Sequence, residues 1–374
     1  MPITLLIRNT LDLPLHTGKC PSWLFEKMKK LALQISEIIV DEFGKEELLK
    51  RLSDSFWLQS LGCVLGFDWH SSGLTTTTMA ALKESLNEVD LGIRIAGGKG
   101  VYALKTKEEI EELSENLGLN QKRTLFYQEM SSVVAKIDNN LVQDNYNLYL
   151  HFFVFTKDSF TVVQQGMNEK EGYARRYHWF IKENYNLIEE PHSSVLLGKE
   201  EKNLNLTSNE NKELRDSIVD LVNYDLKKVL EIKSKPLLSF LKNDRLPKEH
   251  LIKLKHLSKK EIESLKKLED LDIKEFKDLL KVKGLGKEGI RALALTSNLI
   301  YGTPISWKDF VKYSFSHGGK DGTPFPVNKK VYENTINIFE FVLKELKEKG
   351  KIKNEKKYLS KIKRLNHLIE QIYY

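Results

Sequence analysis

Two neighbouring runs of alternating and β-branched residues constrain the fold of this chain most. Asn147–Thr156 and Phe160–Gln165 have the pattern of strands, and the short polar segment Lys157–Ser159 between them suits a turn. Shorter β-like runs occur at Gly92–Ala96 and Ser131–Lys136. The sequence therefore predicts a β-hairpin with further strands in the region from about residue 91 to residue 167.

Helical patterns surround these strands. An amphipathic helix is predicted from about Pro21 to Phe43, and a polar helix over Lys107–Leu117. Helical character also appears at Glu46–Ser53 and Met79–Val89. The four consecutive threonines Thr75–Thr78 favour a loop or a helix entry, because threonine is a poor residue for a helix interior. Residues 1–200 therefore have the character of a mixed α/β domain.

The second half of the chain has helical sequence patterns only. It begins after the polar, Asn-rich stretch Lys199–Thr207, which we predict as a domain boundary. The predicted helices beyond it are Asn211–Glu231, Pro236–Lys242, Pro247–Leu257, Lys259–Leu268, Ile273–Val282, Lys287–Tyr301, Lys329–Lys349 and Glu355–Tyr374. We expect an α+β protein, with the mixed domain at 1–200 followed by an all-helical domain at 208–374.

Charge is distributed unevenly between the two halves. The net charge is +7, but residues 1–200 carry roughly −5 and residues 201–374 roughly +12. A basic half suits a polyanion partner, although a lysine- and glutamate-rich solvated surface is an equal alternative. Two cysteines are too few for a disulfide framework, and no signal or membrane-spanning segment is predicted. We expect a cytoplasmic protein that does not bind membranes.

The most specific motif lies between Phe276 and Leu295. It resembles the helix-hairpin-helix, a module that binds the DNA backbone: an apolar helix, a hydrophobic-Gly-hydrophobic-Gly turn, and a second helix rich in small residues, at about 273–301. Gly284 and Gly286 allow a tight turn whose backbone N–H groups face a phosphate. Three basic residues around the turn add charge-assisted contacts: Lys283, Lys287 and Arg291.

Two other interpretations of this motif remain open. The glycines serve only as cap and turn in an ordinary helical hairpin. Alternatively, the chain is a repair factor similar to DNA glycosylases, in which a Lys or Asp after such a hairpin performs base excision. The second position after Gly286 is Glu288, and Asn328 stands where an Asp is wanted and lies too far downstream, which weakens the glycosylase interpretation.

Several further segments together resemble one known family. They are Cys20-Pro-Ser-Trp-Leu-Phe-Glu, Gly66-Phe-Asp-Trp-His-Ser-Ser-Gly, Ala96-Gly-Gly-Lys-Gly, Val163-Val-Gln-Gln-Gly-Met, Ala174-Arg-Arg-Tyr-His-Trp and Tyr313-Ser-Phe-Ser-His-Gly-Gly-Lys-Asp-Gly. From about Leu13 to Tyr332 the chain resembles an archaeal and bacterial family, domain of unknown function 763. The resemblance implies no activity, so function has to be argued from the residues.

Carboxylates and imidazoles in the first half suggest a catalytic site. Asp68 and His70 lie in a Gly-bounded loop, Asp138 and Asp144 lie near strand starts, and His151 lies on the long strand. Asp68, Asp138 and Asp144 are the expected ligands of Mg²⁺ or Mn²⁺, which would position a water against a phosphodiester. The alternative is that the aspartates are caps and the histidines are structural.

Other residues suit contacts to nucleic acid. Lys99, in a glycine-rich segment, is placed to counter a phosphate, although a simple turn is as good an explanation. The segment Tyr173–Trp179 interleaves cationic and aromatic residues, which suits phosphate clamping and base stacking or, equally, a buried packing cluster. The expected contacts there are Arg175, Arg176 and His178, and in a later Gly-rich insert His317 and Lys320, with Asp321 able to complete a metal site.

These observations lead to two functional hypotheses. The first is a DNA repair or processing protein whose helical domain holds the backbone while the first domain acts as a metal-dependent phosphodiesterase, that is, a nuclease. The second is a non-catalytic protein that binds DNA or RNA. We expect Asp68, His70, Asp138 and Asp144 to converge in one concave region with Arg175, Arg176 and His178 at its rim.

Overall fold

The structure is a computed structural model that describes residues 13–15, 18–66, 71–182, 185–196, 203–224, 226 and 258–307. Its helices are α1 Ser22–Phe43, α2 Lys45–Leu52, α3 Ser55–Leu65, α4 Ser72–Asn87, α5 Val101–Leu104, α6 Thr106–Asn116, α7 Gln121–Lys136, α8 Lys212–Tyr224, α9 Lys259–Lys267 and α10 Lys287–Tyr301. Its strands are β1 Arg94–Lys99, β2 Val142–Gln143, β3 Asn147–Phe155, β4 Phe160–Asn168, β5 Tyr173–Ile181, β6 Ser194–Leu196 and β7 Leu204–Asn205. No described helix has the length and apolarity that a membrane crossing requires.

The main sheet has five antiparallel strands in the order β1-β3-β4-β5-β6. The predicted hairpin is confirmed as β3 and β4, which pair from Phe155 with Phe160 to Asn147 with Met167. A second, two-stranded sheet pairs β2 with β7. The mixed α/β character predicted for the first part of the chain is therefore correct.

Helices cover the main sheet on both faces, because alternate residues of each strand point to opposite sides. On one side, Phe152 and Val154 of β3 pack in a core with α1 to α4. On the other side, Phe153 and Phe155 pack in a core that includes α6, α7, α8 and α10. We call these the α1–α4 face and the α7 face of the sheet.

Two predictions of local structure were wrong. Ser131–Lys136 is the end of α7 rather than a strand, because Met130, Ser131 and Val134 recur at helical spacing and are buried. Thr75–Thr78 lie inside α4 rather than in a loop or at its entry. Their helix is tolerated because Thr76 and Thr77 donate side-chain hydrogen bonds to carbonyls one turn earlier, and Thr75 and Thr78 are buried.

Three predicted helices of the second half are found as α8, α9 and α10: α9 and α10 have nearly the expected bounds, and α8 begins as expected, while its predicted end at Glu231 lies outside the described residues. Ile273–Val282 contains a 3-10 helix at Phe276–Lys281 instead of an α-helix. The predicted helices at 236–242, 247–257, 329–349 and 355–374 lie outside the described residues. The all-helical second domain and the boundary before it therefore stay predictions.

Candidate functional site

The first candidate carboxylate, Asp138, is at the centre of a buried polar network on the α7 face. It lies in a π-helix, Ile137–Leu141, that follows α7 directly. Its Oδ2 accepts hydrogen bonds from the Gln164 side-chain amide and from Trp179 Nε1, the latter at 2.9 Å. Its Oδ1 lies 2.5 Å from His192 Nε2. Both carboxylate oxygens therefore already accept hydrogen bonds from protein groups.

The network continues from Gln164 to His151 and Ser131. The Gln164 Nε2 donates to Asp138, so its Oε1 is the atom that accepts from His151 Nδ1, at 2.8 Å. His151 Nε2 then accepts from Ser131 Oγ, also at 2.8 Å. Burial lowers the pKa of His151, although the bond to Gln164 opposes that shift. The imidazole is therefore neutral, with its proton on Nδ1.

The second carboxylate, Asp144, lies on the same face of the sheet. Its Oδ2 accepts from Arg175 Nη1 at 2.7 Å and from the Tyr177 hydroxyl at 2.5 Å, and its Oδ1 accepts from the Tyr146 backbone N–H. Burial and the negative charge of Asp144 raise the pKa of Tyr177 far above its usual value, and Asp138 adds to this effect. Asp138 and Asp144 thus share the surroundings of Tyr177.

Arg176 and His178 point to the opposite, α1–α4 face. Arg176 donates to Gln59 Oε1 at 2.9 Å and to Gln165 Oε1 at 3.3 Å, and His178 Nδ1 lies 2.8 Å from the Leu52 carbonyl oxygen. Burial lowers the pKa of Arg176 to about 10 and, together with the charge of Arg176, lowers that of His178 to about 3. Arg175, Arg176 and His178 are fully buried, so they form no accessible rim.

Of the three expected metal ligands, the structure brings Asp138 and Asp144 to the same face of the sheet. Asp68 and His70 lie outside the described residues. Within the described part of the chain, no group of three or more His, Cys, Asp and Glu side chains has the arrangement of a metal site. Sequence reasoning missed the roles of four residues in this network: Gln164 connects Asp138 to His151, Trp179 and His192 bond to Asp138, and Ser131 bonds to His151. The polar pair Gln164-Gln165 within a mainly apolar strand was a signal for Gln164, whereas Ser131 on α7 and His192 before β6 had none.

A turn is present at Val282–Gly286, where the sequence predicted one, and we call it the glycine turn. Gly284 has a φ of +95°, a backbone conformation that strongly favours glycine, and a Cβ there would lie 2.3 Å from Ser264 Oγ. The Ser264 hydroxyl donates to the Lys283 carbonyl oxygen at 3.0 Å. Gly286 is the N-cap of α10, which begins at Lys287.

The cations around the glycine turn differ in exposure. Lys283 is exposed, and so is Lys260 of α9, whose side chain lies against Gly284. Lys287 is partly buried, and burial lowers its pKa while nearby Asp144 partly offsets the shift. Arg291 is buried and donates to the Gln143 side-chain oxygen, with Glu288 3.4 Å away. Lys260 and Lys283 are therefore the accessible charges.

Gln143 of β2 connects the sheet region with α10. Its Oε1 accepts from Arg291 Nε, and its Nε2 donates to the Lys287 carbonyl oxygen at 3.0 Å. The start of α10 is thereby fixed to the segment that carries Asp138 and Asp144. Of the remaining candidates, Lys99 is exposed at the end of β1, while His317, Lys320 and Asp321 lie outside the described residues.

Comparisons with known proteins add a family but no activity. No curated protein and no solved structure matches this chain. A family model described as a protein of unknown function, DUF763, matches residues 9–327. Since this match covers well over half of the sequence, the chain belongs to the DUF763 family.

Proposed function

We propose that this protein binds the phosphate backbone of nucleic acid, with DNA as the first candidate and RNA as the alternative, through the glycine turn and the first turn of α10. The observation that carries the proposal is the glycine turn itself. Gly284 has a positive φ, Gly286 caps a 15-residue helix, and exposed Lys260 and Lys283 flank the turn. The sequence around the turn also resembles the helix-hairpin-helix.

The physical argument combines three contributions. The first N–H groups of a helix have no acceptor within the helix and point along its axis. The aligned peptide dipoles favour an anion at the same end. Lys260 and Lys283 add positive charge, and Gly286 carries no side chain of its own that would cover the start of the helix, although the Glu261 carboxylate lies beside it. Such contacts hold the backbone without reading bases, which suits a repair or processing protein that acts on many sequences.

The described residues favour binding over metal-dependent cleavage of a phosphodiester. All four carboxylate oxygens of Asp138 and Asp144 have hydrogen-bond donors from the protein, and Asp144 is ion-paired with buried Arg175. A Mg²⁺ or Mn²⁺ ion would have to displace these donors before it could use the oxygens as ligands. The second hypothesis, a protein that binds nucleic acid without cleaving it, therefore has more support.

The Lys260→Ala/Lys283→Ala variant tests the charge contribution. We expect weaker binding to duplex DNA of any sequence, and a plot of log affinity against log salt concentration whose slope is shallower by about 2, because each lysine–phosphate contact contributes about one unit. Fluorescence anisotropy across a salt series measures both. The control is Lys266→Ala, an exposed lysine of α9 that lies on a different side of the helix from Lys260. A double variant with the wild-type slope would argue against this surface.

The Gly286→Val variant tests the turn. Gly286 has an extended backbone, and a Cβ there would meet only the tip of the Glu261 side chain, 3.2 Å away. We expect the fold to survive while the branched side chain crowds a bound phosphate. Loss of about 1–2 kcal/mol from the helix terminus corresponds to roughly 5- to 30-fold weaker binding. Gly286→Ala should show a smaller loss, and full affinity in a folded Gly286→Val protein would contradict the proposal.

A further inference from the structure

A second surface, formed by α5 and its flanking residues, exposes apolar side chains. Within residues 101–104, Val101 is 66%, Tyr102 60% and Leu104 84% exposed. Three large apolar side chains are thus exposed to water on four consecutive residues. Their exposure is unfavourable, because burial against a partner would remove this apolar surface from water. This segment therefore has the character of a contact surface.

The backbone around α5 holds Tyr102 in place. The Gly100 N–H donates to the Tyr149 carbonyl oxygen at 2.8 Å, and the Ala103 N–H donates to the Gly100 carbonyl oxygen at 3.1 Å. A Cβ at Gly98 would lie 2.8 Å from the Tyr102 Cβ, so only glycine lets Tyr102 sit over the end of β1 with its ring directed outward. The backbone that carries the ring is therefore already ordered before a partner binds, which reduces the entropy lost on binding.

Lysines lie on both sides of Tyr102 in the sequence, and Lys99 Nζ lies 5.6 Å from the centroid of the Tyr149 ring. Lys99, Lys105 and Lys107 are all exposed. The neighbouring Glu109 does not cancel them, because its carboxylate is paired with Lys83 Nζ at 2.6 Å and accepts from the Gly97 N–H at 2.7 Å. Glu108 is the one exposed acid in the stretch from 99 to 108, so that stretch carries a net charge of about +2, while the exposed acids Glu111 and Glu112 follow one turn later on α6.

We propose that this surface, the Lys99–Lys107 platform, binds single-stranded nucleic acid, with the Tyr102 ring stacked on a base and Lys99 and Lys105 in contact with phosphates. An exposed aromatic ring between lysines has the chemistry of sequence-independent single-strand binding. The proposal rests on the proposed function only in that nucleic acid is the ligand. It adds a second binding surface and specifies single-stranded nucleic acid. A duplex is a poorer fit, since its bases are stacked on one another.

A membrane surface is the competing partner for exposed apolar residues among lysines. Membrane-surface helices need an apolar face that is long enough to enter the headgroup region. Four residues make about one turn, which provides little area for insertion. Stacking needs only one ring, so the observations favour nucleic acid.

The test is anisotropy with a fluorescent 20-nucleotide oligo(dT). We expect Tyr102→Ala to bind it roughly 5- to 100-fold more weakly, the loss of one stacked base, and Tyr102→Trp to keep the affinity. The control is Tyr224→Ala, which removes a tyrosine of α8 that is 81% exposed. Circular dichroism confirms folding of each variant. Unchanged oligo(dT) affinity in folded Tyr102→Ala overturns the proposal. The proposal is also overturned if the protein binds phosphatidylserine vesicles and Leu104→Ala weakens that binding while its oligo(dT) affinity stays at the wild-type value.

The same measurements separate this proposal from the function proposed for the glycine turn. Lys260→Ala/Lys283→Ala is expected to weaken duplex binding and to leave the loss caused by Tyr102→Ala on oligo(dT) unchanged. If the wild-type protein fails to bind duplex but its oligo(dT) binding depends on Tyr102, the glycine-turn proposal fails and the platform stands. If duplex binding is intact and Tyr102→Ala has no effect, the platform fails alone.

Discussion

Asp144→Asn is expected to lower the free energy of unfolding by about 3–5 kcal/mol, since it removes the carboxylate charge opposite the fully buried Arg175. Asparagine keeps the volume of the side chain and still offers an oxygen to the Tyr146 N–H. It does not neutralise the guanidinium, which then lies in the interior without the charge that faces it at 2.7 Å. The cost of a buried charge that loses its partner exceeds the usual effect of a point substitution.

Urea denaturation followed by circular dichroism measures this loss. The control is Glu46→Gln, which breaks the ion pair with Lys182 on the surface, where both partners are substantially exposed. A pair of this kind contributes about 0–1 kcal/mol. If Asp144→Asn costs no more than Glu46→Gln, the Asp144–Arg175 pair does not hold β5 to the segment that follows the π-helix.

The second large effect is a loss of stability in mild acid. Burial and Arg176 depress the pKa of His178 to about 3 in the folded protein, while an unfolded histidine titrates near 6.5. Between these values the unfolded chain binds the extra proton, so stability falls as the pH drops below about 6.5 and continues to fall toward pH 3. The full window corresponds to about 5 kcal/mol. The pKa of His151 is lowered too, so it acts in the same direction.

Denaturant titrations at several pH values between 7.5 and 4.5 measure this slope. In His178→Asn the amide still donates to the Leu52 carbonyl oxygen, but the titrating group is gone. We expect that variant to be less stable at pH 7.5. The slope of its unfolding free energy against pH should be smaller by the contribution of one proton, about 1.4 kcal/mol per pH unit. An unaltered slope in a folded His178→Asn protein would mean that His178 does not report the acid transition.

The hairpin was predictable because its alternation and its turn are local signals. Strand β5 was not predicted, although Tyr173–Ile181 pairs with the whole of β4. The segment Tyr173–Trp179 contains two arginines and a histidine, which mark a solvated surface in most chains. Here these side chains are buried because carboxylates and amides from α3, β4 and the segment after α7 meet them. Those partners are distant in sequence, so no local pattern predicts these contacts.

The same strand explains why the candidate site was predicted only in part. Arg175 and Arg176 were treated as one clamp, but consecutive residues of a strand point to opposite faces. Once Tyr173–Ile181 is recognised as a strand, this separation follows from its period of two. The glycine turn was predictable because glycine is required where φ is positive. The burial of Arg291 was not, since its acceptor is Gln143, 148 residues earlier in the chain.

The Gln143 amide has a consequence for binding at the glycine turn. By joining β2 to the carbonyl of Lys287, the first residue of α10, and to the side chain of Arg291, the fifth, it immobilises the start of that helix before any ligand arrives. The orientational entropy of the N–H groups is therefore already lost in the free protein, and a phosphate need not supply it. Under the proposed function, the turn is a preorganised receptor that a phosphate approaches from a fixed direction relative to the sheet.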